Sequence, residues 1–304
     1  VTEQAGHVET LRAHLTYEIY RAFGLVSAEW SHGLLDRLFA VPTQRLAHMG
    51  ARFDHAVNHL GFAEAAYRAL PHLVSSYRAY GVENVPAKGP LIVAANHPGT
   101  YDLLLIPASL GRDDIKIITG NIRFLRELPF TREHLIFLTP DVDVRVGVLR
   151  TAIRHLRSGG TLLIFPSGGI DPDPEVLPGS QEALRQWSPS VELILRRVPE
   201  AQVLVAIVSG VVASRYVHSP LTRLRKKAID RRRIAELIQV AQQVIFDRRF
   251  TLVPRVSYAE PVTLADLRQA AGSSRATAAL IDRAQRLLAQ HVAAGASQAV
   301  PSGQ

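Results

Sequence analysis

The chain has 304 residues, 47% of them hydrophobic and 20% charged, with a formal net charge of +8. That length holds one large or two ordinary domains with a sizeable core, and the composition is that of a globular protein. The absence of cysteine excludes a disulfide framework, a thiol nucleophile and a cysteine-ligated metal. The positive balance favours anionic partners: phospholipid head groups, coenzyme A phosphates, an acidic carrier protein or nucleic acid.

Residues 1–80 read as a helical region. Leu11, Leu15 and Ile19 recur at four-residue spacing. Trp30, Leu34, Leu35, Leu38 and Phe39 form a second apolar cluster before Pro42, and Leu46, Met49, Phe53, Val57 and Leu60 make the clearest stripe. Such stripes pack on a core; the alternative is an interfacial anchor in which Trp30, Leu34, Leu38 and Phe39 dip into lipid. His55 and His59 have a metal-ligand spacing but lack the Glu of H-E-x-x-H, so no metal is expected. Uninterrupted apolar runs fall short of the about 18–20 residues a bilayer span needs, and the start carries no signal-peptide pattern.

From 81 to 262 short apolar runs alternate with helical patterns. Gly81 to Pro90 is a loop, and Leu91 to Ala95 is a strand apolar on every residue, as strands buried on both faces are. Asn96, His97, Pro98, Gly99, Thr100, Tyr101 and Asp102 follow, and Tyr101 to Leu110 reads as a helix capped by Gly111. His97 and Asp102 would not share a face of one continuous helix, but the Pro-Gly turn lets the carboxylate fold back onto the imidazole. Of the 12 histidines, only His97 has an aspartate five residues on. An ionised carboxylate on one ring nitrogen fixes the tautomer and frees the other nitrogen to take a proton, the base-and-orienter half of a triad. Backbone N–H groups near Gly99 or Gly168 would meet developing negative charge.

Strands are expected at Ile115 to Thr119 and Leu135 to Leu138, a short helix at Ile122 to Leu128, and an amphipathic helix at Val146 to Arg157 stopped by Gly159-Gly160. Strand Thr161 to Phe165 leads into Pro166, Ser167, Gly168 and Gly169, and the acidic stretch Asp171-Pro172-Asp173-Pro174-Glu175 reads as a solvated turn. Helical pieces at Ala183 to Trp187 and Val191 to Arg197 precede a long strand at Val203 to Ala213. A helix from Leu221 to Phe246 starts with Arg223, Arg225, Lys226, Lys227, Arg231, Arg232 and Arg233, and Thr251 to Val256 with Tyr258 adds a last strand. The basic start fits anionic head groups on a membrane surface; without a binding motif or aromatic platform, no nucleic acid is expected. Residues 263–304 form C-terminal helices and a flexible tail. Alternating strands and helices define an α/β protein, a mostly parallel mixed sheet flanked by helices, with the two loops at 96–102 and 165–169 facing each other at the strands' carboxyl ends.

N-H-P-G-T-Y-D followed by F-P-S-G-G resembles the phospholipid/glycerol acyltransferase family, whose best-known members are the 1-acyl-sn-glycerol-3-phosphate acyltransferases. That family carries N-H-x-x-x-x-D and, downstream, F-P-E-G-T-R-S. The resemblance spans about residues 80 to 262 and implies His97 as general base and Asp102 as its orienting partner. Asn96, Gly99, Thr100, Tyr101, Pro166, Ser167, Gly168 and Gly169 would line the substrate site. It implies no bound cofactor, with acyl-CoA or an acyl carrier protein as co-substrate, and a place on the cytoplasmic face of a membrane, peripheral or monotopic. The family's Glu is Ser167 here, and its Thr-Arg-Ser is Gly169-Ile170-Asp171. The arginine ending the family's middle block is also missing after Leu135 to Pro140, so Arg123, Arg145 or Arg150 would have to stand in for phosphate binding. Two other readings remain: a serine hydrolase using Ser167, as at a nucleophile elbow, and a non-catalytic lipid-binding protein.

Overall fold

The computed structural model describes residues 2–27, 29–139, 141–246, 252–272 and 275–299, with the side chains of 2–5, 29–32, 34–35, 142–145 and 296–299 left out. Helices α1 (Thr2–Phe23), α2 (Glu29–Leu60) and α3 (Phe62–Ala69) lead into an edge strand, β1 (Arg78–Tyr80). The alternation then runs β2 (Leu91–Ala95), α4 (Asp102–Leu110), β3 (Ile115–Gly120), α5 (Arg123–Arg126), β4 (Leu135–Leu138), α6 (Val142–Arg157) and β5 (Thr161–Ile164). After α7 (Ser180–Arg185) and α8 (Ser190–Leu195) come β6 (Gln202–Ser209), α9 (Ser214–Val217), α10 (Ala228–Phe246), β7 (Arg255–Tyr258), α11 (Leu264–Ala271) and α12 (Ala276–Ala299).

The sheet has seven strands in the order β1-β7-β6-β2-β5-β3-β4. Strands β2 to β6 are mutually parallel, whereas β7 pairs antiparallel with β6 and carries β1 parallel to itself. The fold is thus a mostly parallel mixed sheet flanked by helices. The edge strand β1 is absent from the sequence reading: its three residues, Arg-Ala-Tyr, have no apolar run to betray them.

The central strands are apolar throughout because they face two cores. Ile92, Ala94, Leu162, Ile164, Val203, Val205 and Ile207 pack on one side with Leu156, Leu184, Trp187, Leu280 and Leu288. The alternate residues Leu91, Val93, Ala95, Leu163, Leu204, Ala206 and Val208 pack on the other with Leu105, Ile106, Leu70 and Ala235. Period-two side chains put neighbours on opposite faces, and each large aliphatic so buried stabilises the fold by roughly 1.5–3 kcal/mol.

The apolar clusters on either side of Pro42 lie on one helix, with Pro42 inside α2. Proline removes one i→i−4 bond there, the one that would reach the Leu38 carbonyl, and the next residue's hydroxyl, Thr43, donates to the Phe39 carbonyl at 2.7 Å. The basic stretch is not one helix: Pro220–Leu224 forms a 3₁₀ turn, and α10 begins only at Ala228. Of the proposed lipid anchor, Leu38 is 64% exposed and Phe39 is half-buried, while the side chains of Trp30 and Leu34 lie outside the described residues. Among the described residues no helix is long and apolar enough to cross a membrane.

Candidate active site

Strand β2 pairs with β6 as far as Ala95↔Ala206. At the next position the Asn96 side chain replaces the backbone rung: its Nδ2 donates to the Val208 carbonyl at 2.9 Å, and its Oδ1 accepts the Val208 N–H at 2.7 Å. The main chain is thereby released from the sheet at His97. Asn96 is 3% exposed with both ends of its amide bonded to β6, so it anchors the loop instead of contacting substrate as the resemblance implies.

The freed chain turns through Pro98 and Gly99 into α4, whose first residue is Asp102. Asp102 Oδ2 lies 2.9 Å from His97 Nδ1 and also accepts the Gly99 N–H at 3.3 Å. Facing a carboxylate, Nδ1 carries the proton, which leaves Nε2 as the basic nitrogen. Asp102 is fully buried while the His97 side chain is 22% exposed, so the pair has an inner and an outer member. The imidazole stacks on Phe165 with ring centroids 4.4 Å apart. Among the described residues Nε2 has no partner.

Burial works against the imidazolium, yet the Asp102 charge and hydrogen bond, with Glu236 and Asp171 behind them, outweigh it. His97 therefore titrates above its ordinary value of 6.5.

Strand β5 lies beside β2, which brings the second loop to the first. Asp171 makes the connection. Its N–H donates to the His97 carbonyl at 2.7 Å, and its Oδ2 accepts the His97 N–H at 2.9 Å. The same oxygen accepts the Ser167 hydroxyl at 3.0 Å, and that hydroxyl also lies 3.1 Å from the Gly169 carbonyl. Gly168 turns the chain at φ 71°, a conformation that strains any residue with a Cβ. Pro166 is buried, and its carbonyl accepts the Ser188 N–H at 3.0 Å.

Several expectations need correction. Of the amides near Gly99 and Gly168 expected to meet an oxyanion, those of the two glycines themselves are occupied by Asp102 Oδ2 and the Phe165 carbonyl, whereas among the described residues the Ser167 and Gly169 amides beside Gly168 have no acceptor. Tyr101 is 3% exposed, with its hydroxyl on Gln243 of α10, and so belongs to the core rather than to the substrate site. Arg123 lies over the Tyr17 ring of α1 at 4.1 Å, a stacking contact with the N-terminal helix. The side chain of Arg145 lies outside the described residues. Thr100 is exposed, and its N–H donates to the Glu236 carboxylate.

The acidic stretch is not a solvated turn. Asp171 is 5% and Asp173 2% exposed. Asp173 accepts four amides: Glu175 and Gly210 on Oδ1 at 3.0 Å each, Val211 and Val212 on Oδ2 at 2.9 and 3.3 Å. Burial still pushes its carboxyl up to about 6. Glu175 pairs with Arg255 at 2.5 Å and accepts the Ser209 hydroxyl. Among the described residues no cluster of three metal-ligating side chains occurs.

Glu236 escapes motif reading because it lies far from both motifs in sequence. Its only local signal is helical spacing with Ile229 and Arg232, a pattern that acquires meaning once α10 is known to cross the motif loops.

A histidine base held by a buried aspartate at strand ends, beside a glycine turn with free amides, is equipped for transfer of an acyl group to a hydroxyl. Residues 76–187 match the family model described as Acyltransferase, and the chain carries an acyltransferase-family domain over that segment. The crystal structure of the 1-acyl-sn-glycerophosphate (LPA) acyltransferase PlsC from Thermotoga maritima is similar at 18% identity, over 91% of this chain and 95% of that one, with a TM-score of 0.44. No curated protein matches the chain significantly.

Proposed function

We propose that this acyltransferase moves a fatty acyl group from a coenzyme A or acyl-carrier-protein thioester to a hydroxyl of a glycerolipid-type acceptor. The observation that carries the reading is the His97–Asp102 pair: a 2.9 Å contact, a fully buried carboxylate and a partly exposed imidazole. The acceptor hydroxyl gives its proton to His97 Nε2 as its oxygen attacks the thioester carbonyl. The tetrahedral oxyanion is met by the Ser167 and Gly169 amides. As the C–S bond breaks, the imidazolium returns the proton to the departing thiolate, and the ester remains on the acceptor. Asp102 stays ionised and holds the ring throughout.

A membrane-surface setting is supported by Leu221 and Leu224, 48% and 65% exposed, lying among exposed Arg223, Lys226 and Lys227 just ahead of α10. Apolar side chains with basic neighbours suit an anionic lipid surface. The serine hydrolase reading gains nothing from the geometry, because the Ser167 hydroxyl is directed to Asp171 and the Gly169 carbonyl.

The test uses radiolabelled acyl-CoA with lysophospholipid and monoacylglycerol acceptors. His97→Ala is expected to lower transfer by about 10²–10⁴-fold with the thermal midpoint held. Near-normal turnover by the folded variant refutes the mechanism.

A further inference from the structure

The two motif loops lack the arginines that the family uses, but a third element crosses them. Helix α10 presents Ile229, Arg232 and Glu236, spaced three and four residues apart, on one face. The ends of that row are both placed against the site. A methyl group added at Gly169 would meet Ile229 Cδ1 at 2.9 Å, and one added at Gly99 would meet Glu236 Oε1 at 3.0 Å. The Glu236 carboxylate also accepts the Thr100 N–H. Arg232 therefore lies between two contacts, one to each motif loop.

Its neighbours in sequence are committed elsewhere. Arg231 Nε donates to the Arg225 carbonyl at 2.7 Å, and Arg233 lies 3.6 Å from Asp230. Arg232 differs. Its Nε is buried without a hydrogen-bond partner, and among the described residues the guanidinium makes no ion pair. A buried donor left without an acceptor is costly, and a ligand would remove that cost. Guanidinium is a planar fork suited to two oxygens of one phosphate or carboxylate.

We propose that Arg232 is the specificity-determining residue of the site, taking the phosphate of a phosphorylated acceptor in place of the absent motif arginines. The carboxylates nearby do not forbid an anion there. Asp171 Oδ2 is engaged by the His97 N–H and the Ser167 hydroxyl, and Glu236 is engaged by Thr100. Burial raises both groups toward their neutral forms. The inference rests on the acyl-transfer reading but goes beyond it, since the residue lies outside the matched segment 76–187.

The substrate phosphate could belong to the acceptor or to coenzyme A, so both sides are varied. Donors are an acyl-CoA and the phosphate-free acyl N-acetylcysteamine thioester; acceptors are 1-acylglycerol 3-phosphate and 1-monoacylglycerol. The quantity read is the ratio of kcat/KM for the phosphorylated over the unphosphorylated acceptor. Arg232→Met is expected to lower that ratio about 10–100-fold with either donor. Arg232→Lys, which keeps the charge and loses the fork, should lower it less, and Arg233→Met should leave it unchanged. An unchanged ratio in Arg232→Met overturns the proposal. So does a loss seen only with acyl-CoA, which would assign the arginine to the donor. Circular dichroism checks that each variant folds, and Arg232→Lys carries the test if the Met variant does not. Titration calorimetry with glycerol 3-phosphate separates the two readings. If wild type acylates neither acceptor, acyl transfer fails, while binding of this probe that Arg232→Met weakens still upholds the phosphate site. Binding indifferent to the substitution overturns it.

Discussion

Asp102 and Asp173 are both buried carboxylates at the carboxyl end of the sheet, and the molecule treats them differently. Asp173 has both oxygens filled by backbone amides, from its own loop and from Gly210 to Val212. Asp102 has one oxygen on His97 and the Gly99 amide, while Oδ1 is buried with no partner. A saturated carboxylate holds backbone in place; one left partly unmet keeps its charge for a neighbour. Asp173 fixes the loop, and Asp102 sets the basicity of His97.

The sharpest way to break this contrast is Asp102→Asn. The amide oxygen can still accept a hydrogen bond, so the fold should survive while transfer falls by about 10²–10⁴-fold. With the Asp102 charge gone, burial of His97 meets less opposition. The acid limb of kcat/KM, which in wild type should lie above 6.5 because His97 is raised, should move to lower pH. A limb that stays put would mean that Asp102 does not control the imidazole.

Asp173→Ala should do the converse. It leaves four amides unmet and should cost roughly 3 kcal/mol or more of stability, read as a lower urea midpoint. The acid limb of the surviving folded enzyme should be unmoved. A large activity loss without a stability loss would erase the distinction between the two aspartates.

A smaller effect concerns His291 of α12, 2% exposed between the Ser209 and Ser257 hydroxyls at 2.7 Å each. Burial, with the Arg255 charge adding to it, pushes His291 down to about 4. The unfolded chain takes up this proton near 6.5 and the folded one does not, so the contribution is complete above 6.5 and is lost as pH falls toward 4, roughly 2 kcal/mol by pH 5. Asp173, raised to about 6, acts in the opposite sense, stabilising the fold below its unfolded value and ceasing to do so as pH rises through 6. The useful quantity is therefore the difference between wild type and His291→Gln. The gap between their urea midpoints should narrow or reverse in the variant's favour between pH 7.5 and pH 5; a pH-independent gap would show that His291 takes up its proton alike in the folded and unfolded chain.

Much of this was legible in the chain itself. Runs such as Leu91 to Ala95 announce strands buried on two faces, and the Pro-Gly turn announces that His97 and Asp102 can meet. What could not be read were pairings between distant segments. Nothing local says that Asn96 will complete a ladder with Val208, or that Asp171 will bond the backbone of His97. The Asp-Pro-Asp-Pro stretch looked solvated because acids and prolines are usually exposed; the amides that justify burying Asp173 come largely from beyond β6. Tyr101 sat inside the motif by spacing, yet its partner Gln243 belongs to a helix that only tertiary structure brings near.

The sheet order carries a practical consequence. Strand β6 lies between β2 and β7, so β2 depends for one of its two hydrogen-bonding edges on residues 202–209, past the limit of the matched segment. A fragment trimmed to 76–187 would leave the strand that delivers His97 with an open, wholly apolar flank, a template for aggregation. The stretch defined by sequence likeness and the smallest soluble working unit are different objects, and recombinant expression should follow the second.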